Sequence, residues 1–124
     1  MSLNTVILAA AIAQAAPVTV TAPTVSAGMT DVAYSELSEG NANAAVSKLE
    51  SAAQVSSDPA LLINLGTAYA RQGATDKALA AFRAAIASPE RYELEMSNGT
   101  WADSRSIARA ALVKLQRQVA QAAR

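Results

Sequence analysis

The chain has 124 residues, ten acidic and ten basic side chains, and neither histidine nor cysteine. It therefore lacks the usual base near neutral pH, the thiol nucleophile, disulfides and the ligands of most zinc sites, so neither an enzyme nor a cofactor is expected. Hydrophobic residues make up 52% of it. Much of that is alanine, which packs helices closely but buries little area per residue, and a single small domain with a thin core follows.

Residues 6–16 are an apolar run broken only by Gln14, and Ala13-Gln14-Ala15 has the small-x-small pattern that signal peptidases accept. This predicts a secretory signal peptide over 1–16 and an exported, periplasmic protein, although no Lys or Arg precedes the run. The alternative is an alanine-rich helix packed on the rest of the chain. As a helix the run would span roughly 17 Å against a bilayer core of about 30 Å, so no stable membrane insertion is expected. Residues 17–26 alternate Val and Thr between two prolines, which predicts an extended linker or a short strand.

Over residues 27–89 the chain overlays itself at an offset of 33: Gly40 on Gly73, Ala45 on Ala78, Leu49 on Phe82, Ala52 on Ala85. Periods of this size mark units that cannot bury their own apolar face and must stack on a neighbour. In the first copy a helix ends near Gly40, a second opens around Asn41 to Asn43, and a boundary falls at Ser57-Asp58-Pro59. Asp58 is the expected N-cap of the next helix and Pro59 suits its first turn. In the second copy Leu61, Leu62, Leu65, Ala68 and Tyr69 recur at three- and four-residue steps on one side of a helix. Gly73 ends that helix in the left-handed conformation. Thr75 is the expected N-cap of its successor, whose stripe is Ala78, Leu79, Phe82, Ala85 and Ile86 up to Ser88-Pro89.

The second copy, with Leu62, Leu65, Gly66, Tyr69, Gly73, Ala78, Phe82, Ala85, Ile86 and Pro89, resembles the tetratricopeptide repeat. The first is similar, with Ala33 in the place of Gly66, Glu36 in that of Tyr69 and Leu49 in that of Phe82. The resemblance implies an all-α fold of two helix-turn-helix units stacked as an α-solenoid, with Gly66 and Ala78 where helices cross closely. It also implies a concave groove that receives a peptide or partner segment. That groove would present Thr30, Asp31, Tyr34 and Ser38 from the first repeat and Ile63, Asn64, Thr67 and Arg71 from the second. Asn64 could bond a peptide backbone and Arg71 could pair a carboxylate. The run of lysines and asparagines by which some family members hold a terminal carboxylate is missing. Two repeats make a short groove, which implies weak binding or assembly into a larger surface.

After the repeats, Tyr92, Leu94 and Met96 alternate with Glu93 and Glu95, a period of two that argues for a strand. Asn98-Gly99 at the centre of a two-residue turn sets Trp101 across from Met96. The hairpin over 90–102 is expected to plug the open end of the stack with Tyr92, Leu94 and Trp101, or to accept a partner strand at its edge. Residues 103–124 read as an amphipathic capping helix with Asp103 as N-cap and Ala108, Ala111, Leu112, Leu115, Val119 and Ala122 as its buried stripe. Arg105, Arg109, Lys114, Arg117 and Arg124 lie on it with no acid after Asp103, whereas residues 31–58 carry Asp31, Glu36, Glu39, Glu50 and Asp58 against Lys48 alone. A basic contact face over Arg105, Arg109, Lys114 and Arg117 follows, either merely solvated or stacking head to tail on the acidic end of a second molecule. Those cations spread over more than one third of the helix circumference, so nucleic acid is not an expected partner. The function expected is a non-enzymatic protein-interaction module, with a structural self-assembling protein as the alternative.

Overall fold

The computed structural model describes residues 18–19 and 32–123. The signal-peptide segment 1–16, most of the linker, and Thr30, Asp31 and Arg124 lie outside the described residues. The elements are β1 (Val18–Thr19), α1 (Tyr34–Ser38), α2 (Ala42–Ala53), α3 (Pro59–Gln72), α4 (Thr75–Ala87), β2 (Glu93–Met96), β3 (Trp101–Asp103) and α5 (Ser104–Ala122). The fold is mostly helical. Each helix packs on the next, α3 also touches α1, α5 and β1, and the three strands form one small sheet in the order β1-β2-β3.

The 33-residue repeat is present in the backbone itself. Gly40 and Gly73 are left-handed, with φ of 79° and 81°. The amide of Asn41 donates to the carbonyl of Glu36 (2.8 Å) and that of Gly40 to Leu37 (3.1 Å). One repeat later Ala74 donates to Tyr69 (2.9 Å) and Gly73 to Ala70 (3.0 Å). Each pair of bonds is the Schellman arrangement, which satisfies the last carbonyls of a helix and turns the chain into the next one. The residues that open the following helices also agree: Asn41 has φ −95° and ψ 75°, and Ala74 has φ −85° and ψ 71°. Asn41 caps α2 through its side chain, which accepts from the Ala44 amide (3.1 Å). At the second site the N-cap is Ala74, and Thr75, expected to cap, is already helical. The residue that follows the left-handed Gly73 is itself the N-cap, as Asn41 is after Gly40, so the helix starts one residue earlier than expected and its cap falls on an alanine with no side-chain acceptor.

α3 begins as expected: Asp58 accepts from the Ala60 amide (3.0 Å), with Pro59 in the first turn. Every residue of α3 from Pro59 to Ala70 is buried. Its closest crossing is with α4, where Gly66 faces Phe82. A Cβ built on Gly66 would lie 2.5 Å from Phe82 Cε1. Ala45, Leu49, Ala78, Phe82 and Ala85 are all in the core. The first copy departs at its start. Ala33, the counterpart of Gly66, is not helical but left-handed at φ 56°, and α1 covers only Tyr34–Ser38.

The hairpin differs from its expected register by one residue. Glu95 pairs with Trp101 and Leu94 with Ala102, because the Gly99 amide donates to Met96 (2.8 Å) and the Met96 amide to Thr100 (2.7 Å), closing a three-residue loop. Gly99, at φ 86°, takes the left-handed position such a loop requires. A one-residue slip reverses faces. Leu94 is fully buried, whereas Trp101 stands 50% exposed opposite Glu95 and does not plug the stack. The second edge of β2 is filled by the chain's own β1, Val18 opposite Met96 and Thr19 opposite Glu95. Tyr92 does fasten the hairpin to the repeats, its hydroxyl donating to Asp58. α5 starts with Asp103 accepting from the Ser106 amide (3.1 Å). It buries Ile107, Ala108, Ala111 and Leu115 against the stack, while Val119 and Ala122 remain exposed.

Candidate functional site

The groove that the repeat resemblance implies is not open. Ile63, Asn64 and Thr67 have no exposed surface. The Asn64 amide Nδ2 donates to the Val32 carbonyl (2.8 Å) and the Thr67 hydroxyl to the Ile63 carbonyl one turn back (3.0 Å). Arg71 is half-buried, and its Nη1 donates to the Leu37 carbonyl at the end of α1 (2.6 Å). Burial lowers its pKa. These side chains hold the segment before α1, and α1 itself, onto α3. The physical reason is that α5 and β1, which lie outside the repeat pattern, pack on α3 together with α1. Tyr34 is half-buried against the core and Ser38 is exposed.

The basic face is also reduced. Arg105 Nη2 donates to the carbonyl of Ser88 (3.0 Å), the residue directly after α4, so this cation is engaged at the end of that helix. Arg109, Lys114 and Arg117 are exposed. At the acidic end Glu36 pairs with Lys48 (2.8 Å), Glu50 accepts from the Tyr69 hydroxyl, and Asp58 is buried as a cap. Among the described residues of that group, Glu39 is exposed and engages no other side chain.

An open surface lies instead where α5 runs past the α3–α4 turn. α3 and α5 both begin on an aspartate cap, but α3 has 14 residues and α5 has 19. The extra turn and more of α5 carries Val119 and Ala122 beyond the helix that buries Leu115. The result is an apolar groove of about 640 Å³ lined by Ala70, Gly73, Thr75, Leu115, Gln118, Val119, Gln121 and Ala122. It contains no formal charge, and the Gln121 amide, the Gln118 amide and the Thr75 hydroxyl are its polar groups. Such a surface can seat an apolar side chain and bond a backbone beside it; it offers no nucleophile or base. The sequence pattern assigned Val119 and Ala122 to the core and did not single out Ala70, Gln118 or Gln121. The signal that could have found the groove is the difference in helix length.

No family model, curated protein or solved structure matches this chain. Among the described residues no cluster of Asp and Glu is arranged to hold a metal ion, and no helix is long and apolar enough to cross a membrane.

The junction between repeats carries the perturbed tyrosines. The Tyr69 hydroxyl is pushed up to about 12, by burial first and then by donating to the Glu50 carboxylate. Lys77 Nζ lies 5.7 Å from its ring centre. Tyr92 is raised further, by burial and by its bond to Asp58. A phenol whose folded pKa exceeds its unfolded value stabilises the fold fully below the unfolded pKa near 10 and ceases to do so as pH rises toward the folded one. Urea unfolding should therefore show stability falling between about pH 10 and 12, and Tyr69→Phe should flatten that fall. An identical slope in the variant would contradict this assignment.

Proposed function

We propose that the chain is a non-enzymatic, tetratricopeptide-like helical-repeat module that acts by protein contact, and that its contact surface is the apolar groove between the α3–α4 turn and the last turns of α5. The observation that carries the reading is that groove: apolar, uncharged, and built by helix residues with Val119 41% exposed in it. The identical Schellman turns at Gly40 and Gly73 support the repeat assignment. An exported, periplasmic setting rests on the apolar run 6–16 and its Ala13-Gln14-Ala15 end. Head-to-tail stacking is the weaker reading, because most of the acidic end is engaged within the molecule.

A peptide library panned on the folded chain tests the assignment. Selected peptides should carry an apolar anchor, and in an NMR titration they should move Gly73, Thr75, Gln118, Val119 and Gln121. Val119→Asp should weaken them by roughly tenfold or more, the cost of facing an apolar anchor with a charge. Peptides that move a different surface, or that ignore Val119→Asp, would refute the groove as the contact site.

A further inference from the structure

One edge of the sheet stays open. β2 is paired on both sides, by β1 and by β3, but no strand among the described residues pairs with β3 on its far side. Along the hairpin the Met96 amide donates to the Thr100 carbonyl (2.7 Å) and the Ser104 amide to the Tyr92 carbonyl (2.9 Å). Trp101 and Asp103 alternate with these positions, so they occupy the non-hydrogen-bonded pairs opposite Glu95 and Glu93, and their amides point away from β2. The Trp101 carbonyl points the same way. That of Asp103, as N-cap, takes the first bond of α5 and ends the edge there. An antiparallel strand laid on β3 would exchange two backbone bonds with Trp101 and accept one from the Asp103 amide.

The sheet face beside that edge carries the chemistry that selects an occupant. Side chains two apart on a strand share a face, so Glu93, Glu95, Trp101 and Asp103 project from the side opposite the buried Leu94. Trp101, the one tryptophan of the chain, is 50% exposed there, and the non-hydrogen-bonded pairing sets Glu95 close beside it. Glu93 is exposed, and Arg91 Nε is bonded to Asp103 (2.7 Å). Three carboxylates thus stand against one guanidinium around an indole. An aromatic ring and carboxylates both attract a cation. We propose that β3 receives an extended basic segment of a partner protein as a fourth strand, with a Lys or Arg opposite Trp101 stacking on the indole and its charge drawn by Glu93 and Glu95. A strand is specified because the edge offers backbone donors and an acceptor at strand spacing. A basic one is specified because an acidic segment, or β3 of a second copy, would set carboxylates beside carboxylates. The surface shares no residue with the groove at the α3–α4 turn, and neither proposal depends on the other.

The test titrates the isotope-labelled chain with two synthetic peptides, one alternating threonine and arginine, the other threonine and glutamate. The arginine peptide is expected to bind saturably, to change the Trp101 fluorescence and to move the amides of residues 100–103. Its affinity, read from those amides, should fall roughly fivefold or more in Trp101→Thr, in Glu93→Lys and in about 0.5 M salt. Both substituted positions are exposed, so the chain should keep its native spectrum. The same peptide N-methylated at its arginines cannot donate to the Trp101 carbonyl and should lose most of its affinity. Equal binding of the two peptides, no saturable binding, full affinity in Trp101→Thr or for the N-methylated peptide, or self-association of the peptide-free chain through residues 100–103 would each overturn the proposal.

Discussion

Phe82→Ala is expected to cost about 3–5 kcal/mol, the usual range for emptying the site of a buried phenylalanine. A domain of this kind has about 5–15 kcal/mol in total, so much of its stability would go. Phe82 is 1% exposed and its ring lies over the backbone of Gly66, so the cavity would open at the crossing of α3 and α4. The same contact makes the effect of Gly66→Ala change sign. In the native chain the new Cβ would sit 2.5 Å from Phe82 Cε1. Because the ring is enclosed, the variant should lose about 1–3 kcal/mol despite alanine's better helix propensity. With Phe82→Ala in place the clash is gone, and Gly66→Ala should become neutral or stabilising. Urea midpoints of the four proteins give the coupling directly. Additive effects would show that the glycine does not serve this crossing.

Asn64 should also behave as a structural residue rather than a recognition residue. Asn64→Leu removes the donor to the Val32 carbonyl and leaves that carbonyl buried, which should cost roughly 1–3 kcal/mol. Asn64→Asp, with nearly the same shape, should cost at least as much, because a second acceptor would face the carbonyl. The library-selected peptides should bind the folded fraction of either variant unchanged. Full stability with lost peptide affinity would restore Asn64 to the contact surface.

The features legible in the sequence are those that one or two residues decide locally. Gly73 in the left-handed position, Asp58 and Asp103 as caps, Pro59 in a first turn and Gly66 at a close helix crossing required only short-range chemistry or the repeat itself, although the ring that meets Gly66 is that of Phe82. The hairpin was legible in kind but not in register, because Asn98-Gly99 fits both a two-residue turn and the three-residue loop observed, and the two put Trp101 on opposite faces. The fate of Ile63, Asn64 and Thr67 was not legible. Asn64 is bonded to the segment at Val32, and α3 also packs on α5 and on β1, a strand that pairs with Met96 from far away in the sequence. A repeat pattern describes how α1 to α4 stack; it is silent on which added elements occupy the face they create.

Hydrogen exchange of the partner-free chain tests the central claim, that α3 is enclosed on every side and contacts are made around it. The amides of residues 63–70 should exchange only by global unfolding, and those of residues 107–115 in α5 should be protected to the same degree. Rapid exchange across α5 and the segment at Val32, with α3 opening well below the global free energy, would contradict it. In that case Ile63, Asn64, Thr67 and Arg71 would become accessible without unfolding, and the inner face of the repeats would be the contact surface after all.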